Sequence, residues 1–155
     1  MKDLVIKKPF GTQGEYIITQ DKKDKDDYAL KYYDKKLNIT LLVMSGGDTD
    51  GGSIPNFAKG VFDPLLDKTA HGFIIHDELW RHRFFYKNEY EYYKISFKET
   101  NRIMQDIHKL AGCSWSEIYL TRTAVKIGGY YKWLNPTDRI KSVNNPTLIL
   151  VEGKI

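Results

Sequence analysis

Twice between residues 96 and 129 the chain spells Ser-x-x-Glu ahead of an apolar run that steps by threes and fours. In Ser96-Phe97-Lys98-Glu99, and again in Ser114-Trp115-Ser116-Glu117, a hydroxyl and a carboxylate stand at capping-box spacing, where each satisfies a backbone N–H that the first helical turn leaves without a partner. The first box opens a helix through Ile103, Met104, Ile107 and Leu110 that Gly112 closes. The second opens one through Ile118, Tyr119, Thr121, Arg122, Val125 and Lys126 to Gly128-Gly129. A third helical run precedes them: across residues 69 to 83, Ala70, Phe73, Ile74, Asp77 and Trp80 recur at three- and four-residue steps, the pattern of a mostly buried helix with polar residues set into it.

Three helices need something to pack on, and the first third of the chain reads as strands. Leu4-Val5-Ile6, residues 15 to 19, residues 28 to 33 and residues 37 to 43 are β-branched or aromatic-rich runs bounded by Gly, Asp and Lys clusters. The run Lys22-Lys23-Asp24-Lys25-Asp26-Asp27 reads as a hairpin loop. Pro136 and Asn145-Pro146 interrupt the chain after the helices, and residues 147 to 151 read as a last strand. The predicted class is α+β, with N-terminal antiparallel strands, three central helices and a C-terminal strand returning to the sheet. With 155 residues, 41% hydrophobic and 14% aromatic, the chain fits a single domain spanning 1 to 155. Within it, residues 1–45 are mainly β, 46–68 a Gly-rich loop and connector, 69–130 a helical core, and 131–155 a loop and final strand.

The net charge of +4 comes from 24 basic and 20 acidic residues that are interleaved, which suits a solvated surface better than a nucleic-acid stripe. Cys113 is the one cysteine, so no intramolecular disulfide forms, as suits a reducing cytoplasm. The N-terminus lacks the apolar run of a signal peptide, and no segment approaches the ~20 apolar residues of a membrane span. The expected location is therefore a cytoplasm, with lysis or a particle carrying the protein if it leaves its cell.

Two stretches carry candidate chemistry. In Gly46-Gly47-Asp48-Thr49-Asp50-Gly51-Gly52-Ser53-Ile54-Pro55 the glycines allow close backbone approach, while Asp48, Asp50 and Ser53 offer oxygens to a cation or accept backbone N–H groups. The same loop also reads as a turn held by Asx-type hydrogen bonds. On the first helix, adjacent His76 and Asp77 project about 100° apart, so one faces a reaction site while the other meets a neighbouring element. A neutral His76 removes a proton from water and the Asp77 carboxylate holds a hard cation. The alternative is structural: Asp77 paired with Arg81, Arg83, Arg102 or Arg122, and His76 hydrogen-bonded in the core. His71, His82 and His108 make no His-x3-His zinc pair with it.

The order of motifs is more specific than any one of them. Thr49-Asp50-Gly51-Gly52-Ser53-Ile54-Pro55, then Gly72-Phe73-x-x-His76-Asp77-x-Leu79, then Asn101-Arg102-Ile103-Met104, then Arg122-Thr123-Ala124-Val125-Lys126-x-Gly128 resembles the phage and prophage family called domain of unknown function 1353, over about residues 37 to 130. The resemblance implies a phage or mobile-element source without implying an activity. The core is also similar to a stripped-down phospholipase A2. That likeness implies a loop from Gly46 to Ser53 feeding carbonyls to calcium, with Asp50 beside it, His76 as general base, Asp77 as calcium ligand, and Asn101 where those enzymes have an Asp that orients the base. Gly51, Gly52, Ser53, Pro55, Arg102 and Arg122 fall at motif positions that support such a site. Asn101 accepts a hydrogen bond from His76 and fixes its tautomer, but lacks the charge that stabilises an imidazolium.

Two functions follow. One is a virion-associated or host-factor-binding protein, with a phage structural protein or a host protein as partner and the motifs serving the fold. The other is a calcium-assisted hydrolase that uses His76 and Asp77 to cleave an ester in lipid or envelope material.

Overall fold

The computed structural model describes residues 5–7, 16–19, 28–44, 48–49, 68–82, 84–86, 92–134 and 148–153. Strands β1 (Val5–Lys7), β2 (Tyr16–Thr19), β3 (Tyr28–Asp34), β4 (Ile39–Met44) and β5 (Asp48–Thr49) come first. Helix α1 (Ala70–Arg81), strands β6 (Phe84–Tyr86) and β7 (Tyr92–Lys94), helices α2 (Phe97–Leu110) and α3 (Trp115–Leu134) and strand β8 (Leu148–Glu152) follow. The fold is α+β.

The strands form two antiparallel three-stranded sheets, ordered β1-β2-β5 and β3-β4-β8, and an antiparallel β6-β7 hairpin. The C-terminal strand returns to the N-terminal part of the chain: Leu148 to Glu152 run antiparallel to Val43 to Ile39. Within the stretch expected as a helical core, Phe84–Tyr86 and Tyr92–Lys94 pair as strands β6 and β7, in keeping with the strand preference of Phe and Tyr.

The β3-β4 hairpin turns two residues later than its β-branched run suggests, because Asp34 organises the turn. Its carboxylate accepts the backbone N–H groups of Lys36 at 3.0 Å and Leu37 at 2.9 Å, and Asn38 takes a positive φ of 53°, a conformation Asn tolerates better than most residues. Strand β4 therefore starts at Ile39.

The central sheet carries Leu30, Ile39, Leu41, Val43 and Leu148, and these pack with Ile74, Ile75 and Leu79 of α1, Ile103 and Ile107 of α2, and Ile95. A second apolar layer joins Phe73 of α1, Met104 of α2, and Ala124 and Val125 of α3. Helix α1 thus contributes to both layers, which explains why its residues from Gly72 to Leu79 are all buried, polar ones included. At roughly 1.5–3 kcal/mol for each fully buried Ile, Leu or Phe, these layers are the main favourable term holding the helices on the sheet.

Both capping boxes form. Ser96 donates its N–H to Glu99 Oε2 at 2.7 Å and accepts from the Glu99 N–H at 3.2 Å, and Ser114 and Glu117 repeat the exchange. Gly112, at φ 79°, ends α2: its N–H reaches the Lys109 carbonyl and the Cys113 N–H reaches the His108 carbonyl, each at 3.0 Å. Gly128-Gly129 does not end α3, which continues to Leu134. A Cβ on Gly129 would lie 3.0 Å from the Trp80 ring, so this glycine serves close helix approach and not a cap. Among the described residues no helix is long and apolar enough to cross a membrane.

Candidate functional site

Helices α1 and α2 run antiparallel and exchange two polar contacts that mirror each other. His76 of α1 meets Asn101 of α2 at 3.1 Å from Nε2 to Oδ1. Seven residues back on α1 and seven further on α2, the Thr69 carbonyl meets His108 Nε2 at 3.0 Å. Between these rungs Gly72 lies against His108 and the Met104 backbone: a Cβ there would fall 2.2 Å from His108 Nε2 and 3.1 Å from the Met104 carbonyl oxygen. The missing side chain lets the rungs close.

An amide oxygen only accepts, so His76 Nε2 carries the proton and Nδ1 keeps its lone pair. That Nδ1 is buried and has no hydrogen-bond partner among the described residues. Asp77 Oδ1 stands 3.7 Å from it, too far for a hydrogen bond. His76, Asp77 and Asn101 are all buried, at 4%, 8% and 7% exposure, which leaves the interaction little screened. The Trp80 ring lies 5.6 Å from the imidazole, centroid to centroid, and joins Phe97, Tyr130 and Trp133 in an aromatic cluster. The group offers an imidazole held by an amide, a carboxylate beside its other nitrogen, and an apolar wall.

His108 is the functional-looking residue that spacing arguments passed over. Its ring donates to Thr69, packs edge-on to Phe73 and lies 3.4 Å from the Thr121 hydroxyl of α3, so it touches all three helices. Burial pushes its pKa down to about 4, with the neighbouring His76 acting in the same direction against the Thr69 carbonyl. The signal in the sequence was Gly72, a glycine inside a helical pattern with no cap to make.

Arg102 and Asp34 form a second polar centre. Arg102 Nη1 donates to Asp34 Oδ2 at 2.8 Å and to Asp106 Oδ2 at 3.1 Å, which ties α2 to the β3-β4 turn. Both carboxylates raise its pKa against the effect of burial. Tyr32 beside them is pushed up to about 12, by burial first and then by Asp34 and Asp106. Arg102 thus serves the hairpin turn, where the sequence had it as one of four arginines to pair with Asp77. Arg122 is exposed on α3. Glu78, unremarkable in sequence, is fully buried with Arg81 at 3.3 Å and His82 at 3.5 Å.

Asp50, Gly51, Gly52, Ser53 and Pro55 lie outside the described residues, as do residues 20 to 27. Among the described residues no three His, Cys, Asp or Glu side chains are grouped to hold a metal. Among the described residues Asp77 is the one expected calcium ligand, against the six to eight oxygens that calcium takes, and Asp50 and its loop lie outside them. No protein-family model, no curated protein and no solved structure matches the chain.

Proposed function

We propose that His76 is the general base of a small hydrolytic site in a phage- or mobile-element-encoded protein, with Asn101 fixing its tautomer and Asp77 stabilising its protonated form. One observation carries the reading: the buried Nδ1 lone pair has no hydrogen-bond partner among the described residues while its ring is held from behind by Asn101. A core histidine kept for structure ordinarily satisfies both nitrogens, because an unmet buried polar atom costs about 1–3 kcal/mol. In the proposed step Nδ1 takes a proton from water and the resulting hydroxide adds to an ester carbonyl carbon. When the tetrahedral intermediate collapses, the C–O bond to the alcohol breaks and the proton on Nδ1 passes to the departing oxygen. Asp77 supplies the negative charge that Asn101 lacks.

The test is ester hydrolysis by the wild-type protein, His76→Ala and Asn101→Leu across aliphatic and aromatic chromogenic esters. Loss of the base is expected to lower kcat by roughly 10²–10⁴-fold. Wild-type turnover no faster than His76→Ala on every ester would overturn the reading. A thermal scan of the wild type and Asp77→Asn with chelator or calcium tests the ion separately, since a ligand bound to the folded state raises Tm by mass action.

A second reading, as a virion-associated or host-factor-binding protein, is favoured by one observation. Trp115, Tyr119, Leu120, Ile127, Tyr130 and Leu134 of α3 are between 45% and 78% exposed. Apolar surface of this extent marks interaction sites more often than bare solvent. Ile127→Glu should abolish incorporation into purified particles, or binding of an isolated host partner, while leaving the fold intact. Particles that incorporate Ile127→Glu as well as wild type would remove this support.

A further inference from the structure

The two rungs between α1 and α2 are related by an approximate two-fold axis. Thr69 and His76 are seven residues apart on one helix, Asn101 and His108 seven apart on the other, and each helix gives one histidine. Seven residues is close to two full turns, so both pairs lie on the facing stripes. Phe73 and Met104 are fully buried between them, and Gly72 brings the backbones together. Two hydrogen bonds at this separation define the axial position of one helix on the other. A slip of one turn, about 5.4 Å, breaks both at once. The His76 rung by itself would not resist smaller shifts, because an amide on a two-bond stem follows a moving ring by rotating. The His108 rung is stiffer: its acceptor is backbone, its ring edge fits against Gly72, and its far nitrogen meets Thr121 of α3.

We propose that His108 is the positioning residue of the site: by holding Thr69 across Gly72 it sets the α1–α2 register that keeps His76 in its Nε2–H tautomer with Nδ1 free to act as base. The inference rests on the general-base reading only for its consequence in catalysis; the coupling between the two histidines is a property of the fold. His76 and Thr69 on α1 and Thr121 and Glu117 on α3 are the polar groups that His108 meets or feels.

The experiment reads the His76 tautomer by long-range ¹H–¹⁵N NMR on full-length protein at pH 8, in the wild type, His108→Gln, His108→Asn and Ile107→Val. The Gln amide reaches to the same depth as His Nε2 and should preserve the tautomer. The Asn amide is too short to reach Thr69, and the Nε2–H to Nδ1–H ratio at His76 should fall at least about threefold, whereas Ile107→Val, a core loss of comparable cost, should leave it unchanged. An unchanged ratio in His108→Asn, or an equal fall in Ile107→Val, overturns the proposal. Should His108→Asn not fold, the wild type alone decides: one register opening should expose the imidazole N–H groups of His76 and His108 together, with exchange rates within about threefold, and rates further apart overturn the coupling. If the ester assay also shows activity, His108→Asn should lower kcat with KM little changed. If no ester is turned over, the general-base reading fails while the tautomer measurement still decides this one.

Discussion

At His76 the imidazole is hydrogen-bonded on one side and, among the described residues, has no hydrogen bond on the other, and the tautomer is set by Asn101. Asn101→Leu leaves the buried Nε2–H without an acceptor and releases the tautomer. It should cost about 1–3 kcal/mol in urea unfolding and give a mixed His76 tautomer by ¹⁵N NMR. Wild-type stability with an unmixed tautomer would show that the contact is not what holds the ring. His108 makes the complementary case, a histidine kept neutral. Its folded pKa of about 4 lies below the ordinary 6.5, so the unfolded chain binds a proton that the folded one refuses. Its contribution is fully present above pH 6.5 and is lost as pH falls towards about 4, on the order of 3 kcal/mol in all. Urea unfolding at pH 7 and pH 4.5 should show the loss in the wild type and a much smaller one in His108→Gln. Of these two residues His76 was legible in the sequence, because His-Asp adjacency is a recognisable pairing. His108 was legible only indirectly, through Gly72, since a buried partner that is a backbone carbonyl leaves no trace of its own in residue types.

Among the helices, close approach rather than capping explains Gly72 of α1 and Gly129 of α3. Gly129 lies against Trp80, where a Cβ would stand 3.0 Å from the ring and push it by a few tenths of an ångström, and Trp80 in turn edges Phe97 and Trp133. Alanine is intrinsically the better helix former by about 1 kcal/mol, so Gly129→Ala should stabilise α3 if the site were open. The observed 3.0 Å approach reverses the sign, and a loss of about 1–2 kcal/mol in thermal unfolding is expected. A gain would mean that Trp80 moves aside freely. Helix starts at Ser96 and Ser114 and the stop at Gly112 were readable because they are local chemistry, a hydroxyl, a carboxylate and a positive φ within a few residues. The continuation of α3 through Gly128-Gly129 was not readable, because what overrides the glycine signal is an aromatic ring some fifty residues earlier in the chain.

At the scale of the whole molecule, the Asp34–Arg102 ion pair joins the central sheet to helix α2. Asp34 ends β3, shapes the turn into β4 and receives Arg102 from α2, so strand pairing and helix docking share a residue. Arg102→Met should destabilise by about 3 kcal/mol, the low end for stripping one partner from a buried pair, because Asp34 keeps its two backbone N–H donors. Asp34→Asn combined with Arg102→Met should then cost less than the sum of the two single changes, and strict additivity would show that the pair is not coupled. By itself the sequence determined the α+β class, the three helices and the strand that returns to β4. Those follow from periodicity and capping, which act over a turn or two. The likeness to phospholipase A2 implied that Asn101 faces His76, and the 3.1 Å contact between them is in the structure. Only the tertiary structure decided which arginine serves which acid, which histidine is neutral and why, and which glycines are spacers, because each depends on burial beside a residue far away in the chain.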